Sequence, residues 1–202
     1  MYAKLTTLLL TLALAAPLHA QTAETETDDG ASAVENDLST GTPAVTENQL
    51  GTAYTKEVSG DWEIRCVRTQ TPEQDPCQLY QLLKDQSGNA VSEVSVFKLA
   101  DGGEIVAGAT VIVPLETLLT AQLTMAIDGA NARRYPFSFC SQVGCYARLG
   151  LTDAEVTGFK RGAKAQVQIR PFAAPDQTVT VEMSLTGFTA GFDKIEAVAS
   201  PN

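Results

Sequence analysis

Cysteine is the first residue type in this sequence whose number and spacing suggest chemistry. Four cysteines are present, and an even count in a chain with an export signal, described below, favours two disulfides. Of the three pairings that four cysteines allow, we predict Cys66 with Cys77 and Cys140 with Cys145. Each pair is close in sequence and lies at the ends of successive predicted strands, where a turn brings two Cα atoms within bridging distance.

Two other uses of the cysteines are open. A zinc site of four cysteines normally has two Cys-x-x-Cys pairs, whereas ten and four residues separate the cysteines here. A redox-active pair at Cys140 and Cys145 would form a tight bridge, but the Cys-x-x-Cys motif of thiol–disulfide enzymes is missing. We therefore interpret both pairs as structural disulfides, each of which constrains the unfolded chain by about 2–3 kcal/mol in the loop-entropy treatment.

The sequence contains little else that supports catalysis. Its single histidine, His19, lies in the predicted signal peptide, so the mature chain lacks the most common general base and metal ligand. Carboxylates are frequent, but their spacing does not place two of them in one cleft, and we interpret them as surface groups. No glycine-rich phosphate-binding loop occurs. We expect a protein that is not an enzyme, without catalytic, metal or cofactor residues.

One local cluster has the composition of a binding site. Arg133, Arg134 and Tyr135 follow the predicted Asp128-Gly129 turn, and arginine and tyrosine are enriched among residues that dominate binding energy. A solvent-exposed hairpin tip is the alternative interpretation. We predict a candidate binding surface at these three residues and around the nearby Cys140–Cys145 turn.

Charge is distributed unevenly along the chain. The formal net charge is −10, and eight of the 24 acidic residues lie between residues 21 and 59, where Lys56 is the only base. From residue 60 onward the chain has 16 acids and 12 bases and no basic stripe. Nothing there would neutralise a phosphate backbone or attract an anionic lipid surface strongly. We expect no nucleic-acid partner.

The N-terminal region predicts export. Residues 1–20 contain one charge, Lys4, and an apolar run that is shorter than the ~20 residues of a membrane-spanning helix. This segment ends in Ala20, so cleavage is expected between Ala20 and Gln21. We therefore predict a signal peptide, no integral membrane span after its removal, and a protein that crosses the inner membrane.

The composition changes twice after the predicted cleavage. Residues 21–57 are acidic and have no aromatic residue before Tyr54, which predicts a disordered spacer because such a segment buries too little apolar surface to order itself. The folded domain is expected at residues 58–197. A flexible C-terminal tail is expected at residues 198–202.

The domain has the pattern of an all-β fold, since short apolar and β-branched runs alternate with turn-forming residues. Residues 165–169 and 179–185 alternate strictly between apolar and polar, which predicts two strands that pair across the Pro175-Asp176 turn. Further apolar runs predict a central strand at residues 105–113 and another strand at residues 134–139, among others. In total we predict about nine strands in a two-sheet sandwich, with a closed barrel as the alternative. A capping box in residues 152–155 predicts one short peripheral helix.

Short motifs in a fixed order cover most of the domain. They are Gly60-Asp61-Trp62, Cys77-Gln78-Leu79, Val113-Pro114-Leu115, Ile127-Asp128-Gly129, Pro136-Phe137, Gly144-Cys145 and Gly187-Phe188-Thr189-Ala190. In this order they resemble the invasion-associated locus B family of alphaproteobacterial envelope proteins. The resemblance implies an immunoglobulin-like β-sandwich, no known catalytic residues, and a location in the periplasm or at the outer membrane.

Three functional hypotheses follow. The leading one is a non-enzymatic envelope protein that binds another protein, of the envelope or of a host, or an envelope component. The second is a periplasmic thiol–disulfide protein that uses Cys140 and Cys145, and the third is a structural envelope protein without a specific ligand. The family name refers to host-cell entry by a pathogenic member, a role that a shared fold does not transfer to every member.

Overall fold

The computed structural model describes residue 41 and residues 49–100 and 103–199 of the 202-residue chain. The predicted signal peptide, its cleavage site at Ala20 and Gln21, and the spacer before residue 49, apart from Gly41, lie outside the described residues. Within the described residues no helix is long and apolar enough to cross a membrane.

The described part of the chain forms twelve strands and two short helices. The strands are β1 Ala53–Ser59, β2 Trp62–Val67, β3 Cys77–Lys84, β4 Ala90–Leu99, β5 Ile105–Val113, β6 Leu123–Ile127, β7 Ala130–Tyr135, β8 Phe137–Cys140, β9 Cys145–Thr152, β10 Lys164–Ile169, β11 Val179–Ser184 and β12 Ala197–Val198. The helices are α1 Asp153–Arg161 and α2 Phe188–Lys194, and 3-10 turns occur at Pro72–Gln74 and Leu119–Ala121.

Two sheets contain these strands. The larger sheet has eight strands in the order β1-β2-β3-β4-β5-β9-β8, with β12 pairing parallel to β4, and the smaller has the order β11-β10-β6-β7. All pairings other than β12–β4 are antiparallel in the described residues. Buried side chains from both sheets belong to one hydrophobic core. The mostly-β fold is confirmed, and the immunoglobulin-like arrangement stays a prediction.

The two most regular sequence patterns pair as predicted. Ala165 lies opposite Met183 and Ile169 opposite Val179, so β10 and β11 form the antiparallel pair that the strict alternation indicated. The continuous apolar run 105–113 forms β5, which pairs with β4 on one side and β9 on the other. A strand between two neighbours, largely covered on both faces, has the composition that this run shows.

The single strand predicted at residues 134–139 is wrong. Pro136 divides it into β7, which pairs with β6 in the smaller sheet, and β8, which pairs with β9 in the larger sheet. Proline has no N–H for a strand ladder, and the chain changes sheets at this residue.

Four further predictions need correction. About nine strands were predicted, whereas the described residues form twelve, because β1 and β12 were not predicted and Pro136 divides one predicted strand into β7 and β8. The strand β1 begins at Ala53, so residues 53–57, assigned to the spacer, are part of the folded domain, and β12 includes Val198, assigned to the tail. The expectation of one helix is also wrong, because Phe188–Lys194 forms α2. This seven-residue helix has no side-chain N-cap and contains Gly191, so its local propensity is low and the burial of Phe188 and Phe192 supports it instead.

A hydrogen-bonded crosslink of Trp62, Gln81 and Ser184 joins the two sheets. Trp62 in β2 is fully buried, and its Nε1 donates to the backbone oxygen of Ser184 at 2.9 Å. Gln81 in β3 donates from Nε2 to the same oxygen at 3.0 Å and accepts from the Ser184 N–H at 2.9 Å. Because a buried indole and a buried amide each need a partner, this inter-sheet crosslink holds the end of β11 against β2 and β3.

Two glycine turns meet beside this crosslink. Gly60 has a φ of 59° and Gly187 a φ of 85°, both in the left-handed region that favours glycine. A Cβ on Gly187 would collide with the backbone oxygen of Ser59, and a Cβ on Gly60 with that of Thr186. The close approach of the two backbones therefore leaves no room for a side chain.

We expect Gly187→Ala to lower the free energy of unfolding by about 3 kcal/mol or more, because the left-handed conformation and the collision with Ser59 both add cost. Denaturant unfolding measures the change. Gly88→Ala is the matched control, since Gly88 has a φ of 87° but a Cβ there would meet no described atom within 4 Å. It should cost about 1 kcal/mol, and equal losses in the two variants would contradict the steric explanation.

Candidate functional site

The two disulfides join the pairs that the sequence favoured. Cys66 lies directly opposite Cys77 on β2 and β3, and Cys140 lies directly opposite Cys145 on β8 and β9. The Cα–Cα distance is 4.0 Å in each pair. Each disulfide therefore ties neighbouring antiparallel strands at the turn that connects them.

The surroundings of the two disulfides differ. Cys66 is fully buried and Cys77 half-buried, and β2 and β3 both have neighbours on either side. Cys140 is exposed, whereas its partner Cys145 is 1% exposed, and β8 is an edge strand of the larger sheet. Cys140 in the second disulfide is therefore accessible to other molecules.

An apolar groove lies against this exposed disulfide. Its cavity volume is about 610 Å³, and its lining includes Leu115, Leu118, Leu119, Phe172 and both Cys140 and Cys145. We call it the Cys140 groove. The side chains of Phe172 (72% exposed), Leu115 (54%) and Leu119 (41%) are open to solvent.

Backbone hydrogen bonds hold the groove in shape. The Leu118 N–H donates to the oxygen of Arg170 and the Phe172 N–H to the oxygen of Glu116, each at 2.7 Å. The Thr117 hydroxyl donates to the oxygen of Pro114, also at 2.7 Å. The loop after β5 and the loop after β10 are therefore hydrogen-bonded to each other, and this backbone holds the apolar side chains of the Cys140 groove in place.

The predicted surface of Arg133, Arg134 and Tyr135 divides between two faces of β7. Arg133 lies opposite Met125 and Tyr135 opposite Leu123, two buried residues of β6, while Arg134 lies opposite Thr124. Side chains alternate along a strand, so Arg133 and Tyr135 share one face and Arg134 points to the other. The structure therefore brings together two of the three predicted residues.

Arg133 and Tyr135 meet Glu155 of α1. Arg133 Nε lies 3.2 Å from Glu155 Oε1, and the Tyr135 hydroxyl donates to the same oxygen at 3.2 Å. The Thr152 N–H and hydroxyl donate to Glu155 Oε2 at 2.8 and 2.9 Å. The Glu155 N–H in turn donates to the Thr152 hydroxyl oxygen at 3.4 Å, which completes the predicted capping box. One carboxylate thus accepts four interactions and ties the start of α1 to the edge strand β7.

The pKa values in this network keep its charges constant at neutral pH. Burial raises the pKa of Tyr135 to about 12, and the Glu155 carboxylate adds to the shift, so the phenol stays a neutral donor. Partial burial opposes ionisation of Glu155, but hydrogen bonds from Thr152 and the charge of Arg133 outweigh it and leave the pKa of Glu155 below its ordinary value.

These groups line a second cavity, between the β6–β7 hairpin and α1. Its volume is about 430 Å³, and we call it the Arg133 cleft. The residues that line it are different from those of the Cys140 groove. The structure therefore separates the single surface that we predicted around Arg133 and the Cys140–Cys145 turn into two places.

No metal site is evident in the part of the chain that the structure describes. Within residues 49–100 and 103–199, no group of three or more His, Cys, Asp or Glu side chains is arranged to hold a metal ion. The cysteines in that part are all in disulfides.

Fold and site together define a disulfide-bridged β domain of two antiparallel sheets. The sequence model of the family described as "Invasion associated locus B (IalB) protein" matches residues 62–196, so the chain belongs to this family. Two invasion protein B homologs of Brucella abortus, of strain 2308 and of biovar 1 strain 9-941, are each 26% identical over 149 residues. That match covers 73% of this chain and 83% of each homolog.

A solved structure has the same fold. The crystal structure of invasion associated protein b from Bartonella henselae matches with a TM-score of 0.59 and 19% sequence identity. The match covers 68% of this chain and 92% of that chain.

Sequence reasoning missed two important residues. Glu155 was visible as part of a capping box, but its contacts with Arg133 and Tyr135 depend on the packing of α1 against β7. Phe172 was not singled out, because a single aromatic residue in a loop carries no sequence signal that tells whether its side chain is buried or exposed.

We expect the Cys140–Cys145 disulfide to be reduced before Cys66–Cys77 as dithiothreitol is raised, because thiol exchange requires access to a sulfur and Cys140 is exposed. Alkylation followed by peptide mass spectrometry measures each pair in the same sample, so the buried pair is the control. Simultaneous reduction of both pairs would show that access does not control the order.

We expect Glu155→Gln to lower the free energy of unfolding at pH 7 by about 1 kcal/mol, because it removes the charge that Arg133 and Thr152 stabilise. The folded pKa of Glu155 is lowered, so its contribution is complete above the unfolded pKa near ~4.3 and is lost as pH falls through the folded pKa. Thermal unfolding at pH 7 and pH 3 measures this difference.

The matched control is Glu182→Gln, which removes the carboxylate of an exposed ion pair with Lys164. Exposed pairs contribute little to stability, so this variant should unfold like the parent protein. A Glu155→Gln deficit that persists unchanged at pH 3 would contradict the assigned role of the charge.

Proposed function

We propose that this protein is an exported, non-enzymatic component of the cell envelope that binds another protein through the Cys140 groove. The observation that carries the proposal is the exposure of three large apolar side chains, Leu115, Leu119 and Phe172, on one rigid frame. A contiguous exposed apolar surface is typical of an interaction site, whereas scattered single residues are not.

The geometry favours a protein partner with an apolar segment. Among the described lining residues Glu116 is the one charged side chain, so the groove has little means of attracting a polar ligand. Aromatic side chains such as Phe172 are enriched at protein–protein interfaces, and the two leucines beside it add apolar area that a partner can bury. A protein with one or two exposed apolar anchors fits this surface best.

Location outside the cytoplasm is part of the proposal. Disulfides persist in oxidising compartments, and both pairs of this chain are joined. The family to which the chain belongs supports the same location. We place the protein in the periplasm or at the outer membrane, with the relatives' names making a host-cell protein one candidate partner and an envelope protein the other.

We expect a photo-crosslinking amino acid at position 172 to capture one dominant protein in intact cells, identified by mass spectrometry. The matched control is the same amino acid at position 58, because Val58 is 62% exposed but lies on β1, the opposite edge strand of the larger sheet. Phe172→Ser combined with Leu119→Ser should reduce binding of the purified partner at least about tenfold.

Capture of the same proteins from both positions, or of none, would contradict the proposal. Equal binding by the Phe172→Ser/Leu119→Ser variant and the parent would also contradict it. An envelope protein among the captured species would make this a module of envelope organisation, and a host protein would make it a module of host contact.

Thiol–disulfide exchange is the second candidate function, because exposed Cys140 lines the groove in which a partner would lie. The reduction potential distinguishes the two functions. A structural disulfide should have a potential below about −300 mV, whereas a catalytic one should be more oxidising. Burial of Cys145 favours the structural role, since a buried thiolate is a poor leaving group.

A further inference from the structure

The Arg133 cleft has the dimensions and walls of a small-molecule site. Its volume of about 430 Å³ lies within the range of ligand pockets, about 300–1,000 Å³. One wall is the β6–β7 hairpin and the other is the first turns of α1. Small residues at Ala132, Ala154 and Gly158 line it and leave its interior open.

The base of the cleft is apolar. Leu151 is fully buried, Phe159 is 4% exposed and Met125 is 5% exposed, and all three belong to the hydrophobic core. An apolar chain or ring placed against them would leave water. The burial of apolar surface would therefore favour binding.

The polar side of the cleft presents one usable cation. Arg133 and Glu155 are the one base and the one acid among the described residues that line it. Glu155 already accepts four interactions, from Arg133, Tyr135 and twice from Thr152, so its oxygens are occupied. Arg133 reaches Glu155 through Nε, and its side chain is 61% exposed.

An apolar base beside an exposed arginine favours one class of ligand. The terminal nitrogens of an arginine form a planar fork that matches a carboxylate, and the Arg133 side chain is well exposed although its Nε contacts Glu155. A cationic head group would find the Glu155 oxygens already engaged, whereas a carboxylate can accept hydrogen bonds from the exposed guanidinium of Arg133. We infer that the Arg133 cleft binds a small amphipathic carboxylate, with its apolar chain against Met125, Leu151 and Phe159 and its carboxylate on Arg133.

The inference is independent of the proposed function. The cleft and the Cys140 groove share no lining residue, and they belong to different edges of the domain. A partner protein in the groove and a carboxylate in the cleft therefore give separate signals in any residue-resolved measurement.

Titration of the protein with decanoate, followed by backbone and methyl NMR, tests the inference. We expect saturable shifts centred on Ala132, Ala154 and Phe159. Decyltrimethylammonium, which has the same chain and the opposite charge, should give weaker shifts at these positions. Acetate, which has the head group alone, should give none.

Two variants that act in different ways distinguish a loss of ligand recognition from a loss of folding. Arg133→Gln should weaken decanoate binding about tenfold or more, because it removes the charge-assisted hydrogen bonds. Ala154→Leu fills the cleft while leaving Arg133, Tyr135 and Glu155 in place, and it should abolish binding. The matched control is Arg134→Gln, which removes the neighbouring arginine on the opposite face of β7 and should bind decanoate as the parent does.

Three results would overturn the inference. They are the absence of saturable shifts with decanoate, equal weakening by Arg133→Gln and Arg134→Gln, and shifts centred on Phe172 and Leu119. The last result would place the amphiphile in the Cys140 groove and would leave the cleft without a ligand.

Discussion

Two donors converge on the backbone oxygen of Ser184, and the rest of the domain depends on this contact. Trp62 and Gln81 bring their N–H groups to it from the larger sheet, so the smaller sheet is held by directional bonds inside an apolar core. The Phe188 ring packs edge-on against Trp62 with the centroids 5.4 Å apart, and Phe159 of α1 lies 5.5 Å from Phe188. Both helices are therefore anchored to the residue that links the sheets.

Pro136 separates the Arg133 cleft from the Cys140 groove. The chain leaves the smaller sheet at Tyr135 and enters the larger sheet at Phe137, so residues seven positions apart, Arg133 and Cys140, lie on different sheets. Around Arg133 the surroundings are a polar network over an apolar base, while around Cys140 they are leucines and an aromatic ring. Adjacent segments of one chain thus line two separate cavities of different chemical character.

Glu155 shows how a local motif acquires a tertiary role. Thr152 and Glu155 satisfy each other across the first turn of α1, which four residues of sequence suffice to predict. The same carboxylate then accepts from Arg133 and Tyr135 of β7, which are distant in sequence. The hydrogen bonds that begin the helix also fix the wall of the Arg133 cleft, so helix stability and cleft geometry are coupled.

The sequence by itself determined the features that arise from short-range physics. Alternation of apolar and polar residues predicted the β10–β11 pair, and the family motifs predicted the family. The tertiary structure decided which strands share a sheet, that Phe188–Lys194 is helical, and that Arg133 rather than Arg134 lies on the face of β7 that meets α1. The helix α2 has weak local propensity and forms because the core buries its aromatic side chains. Which arginine of β7 meets α1 depends on how that helix packs against the strand. Both the burial and the packing depend on residues that are distant in sequence, so a short stretch of sequence does not predict them.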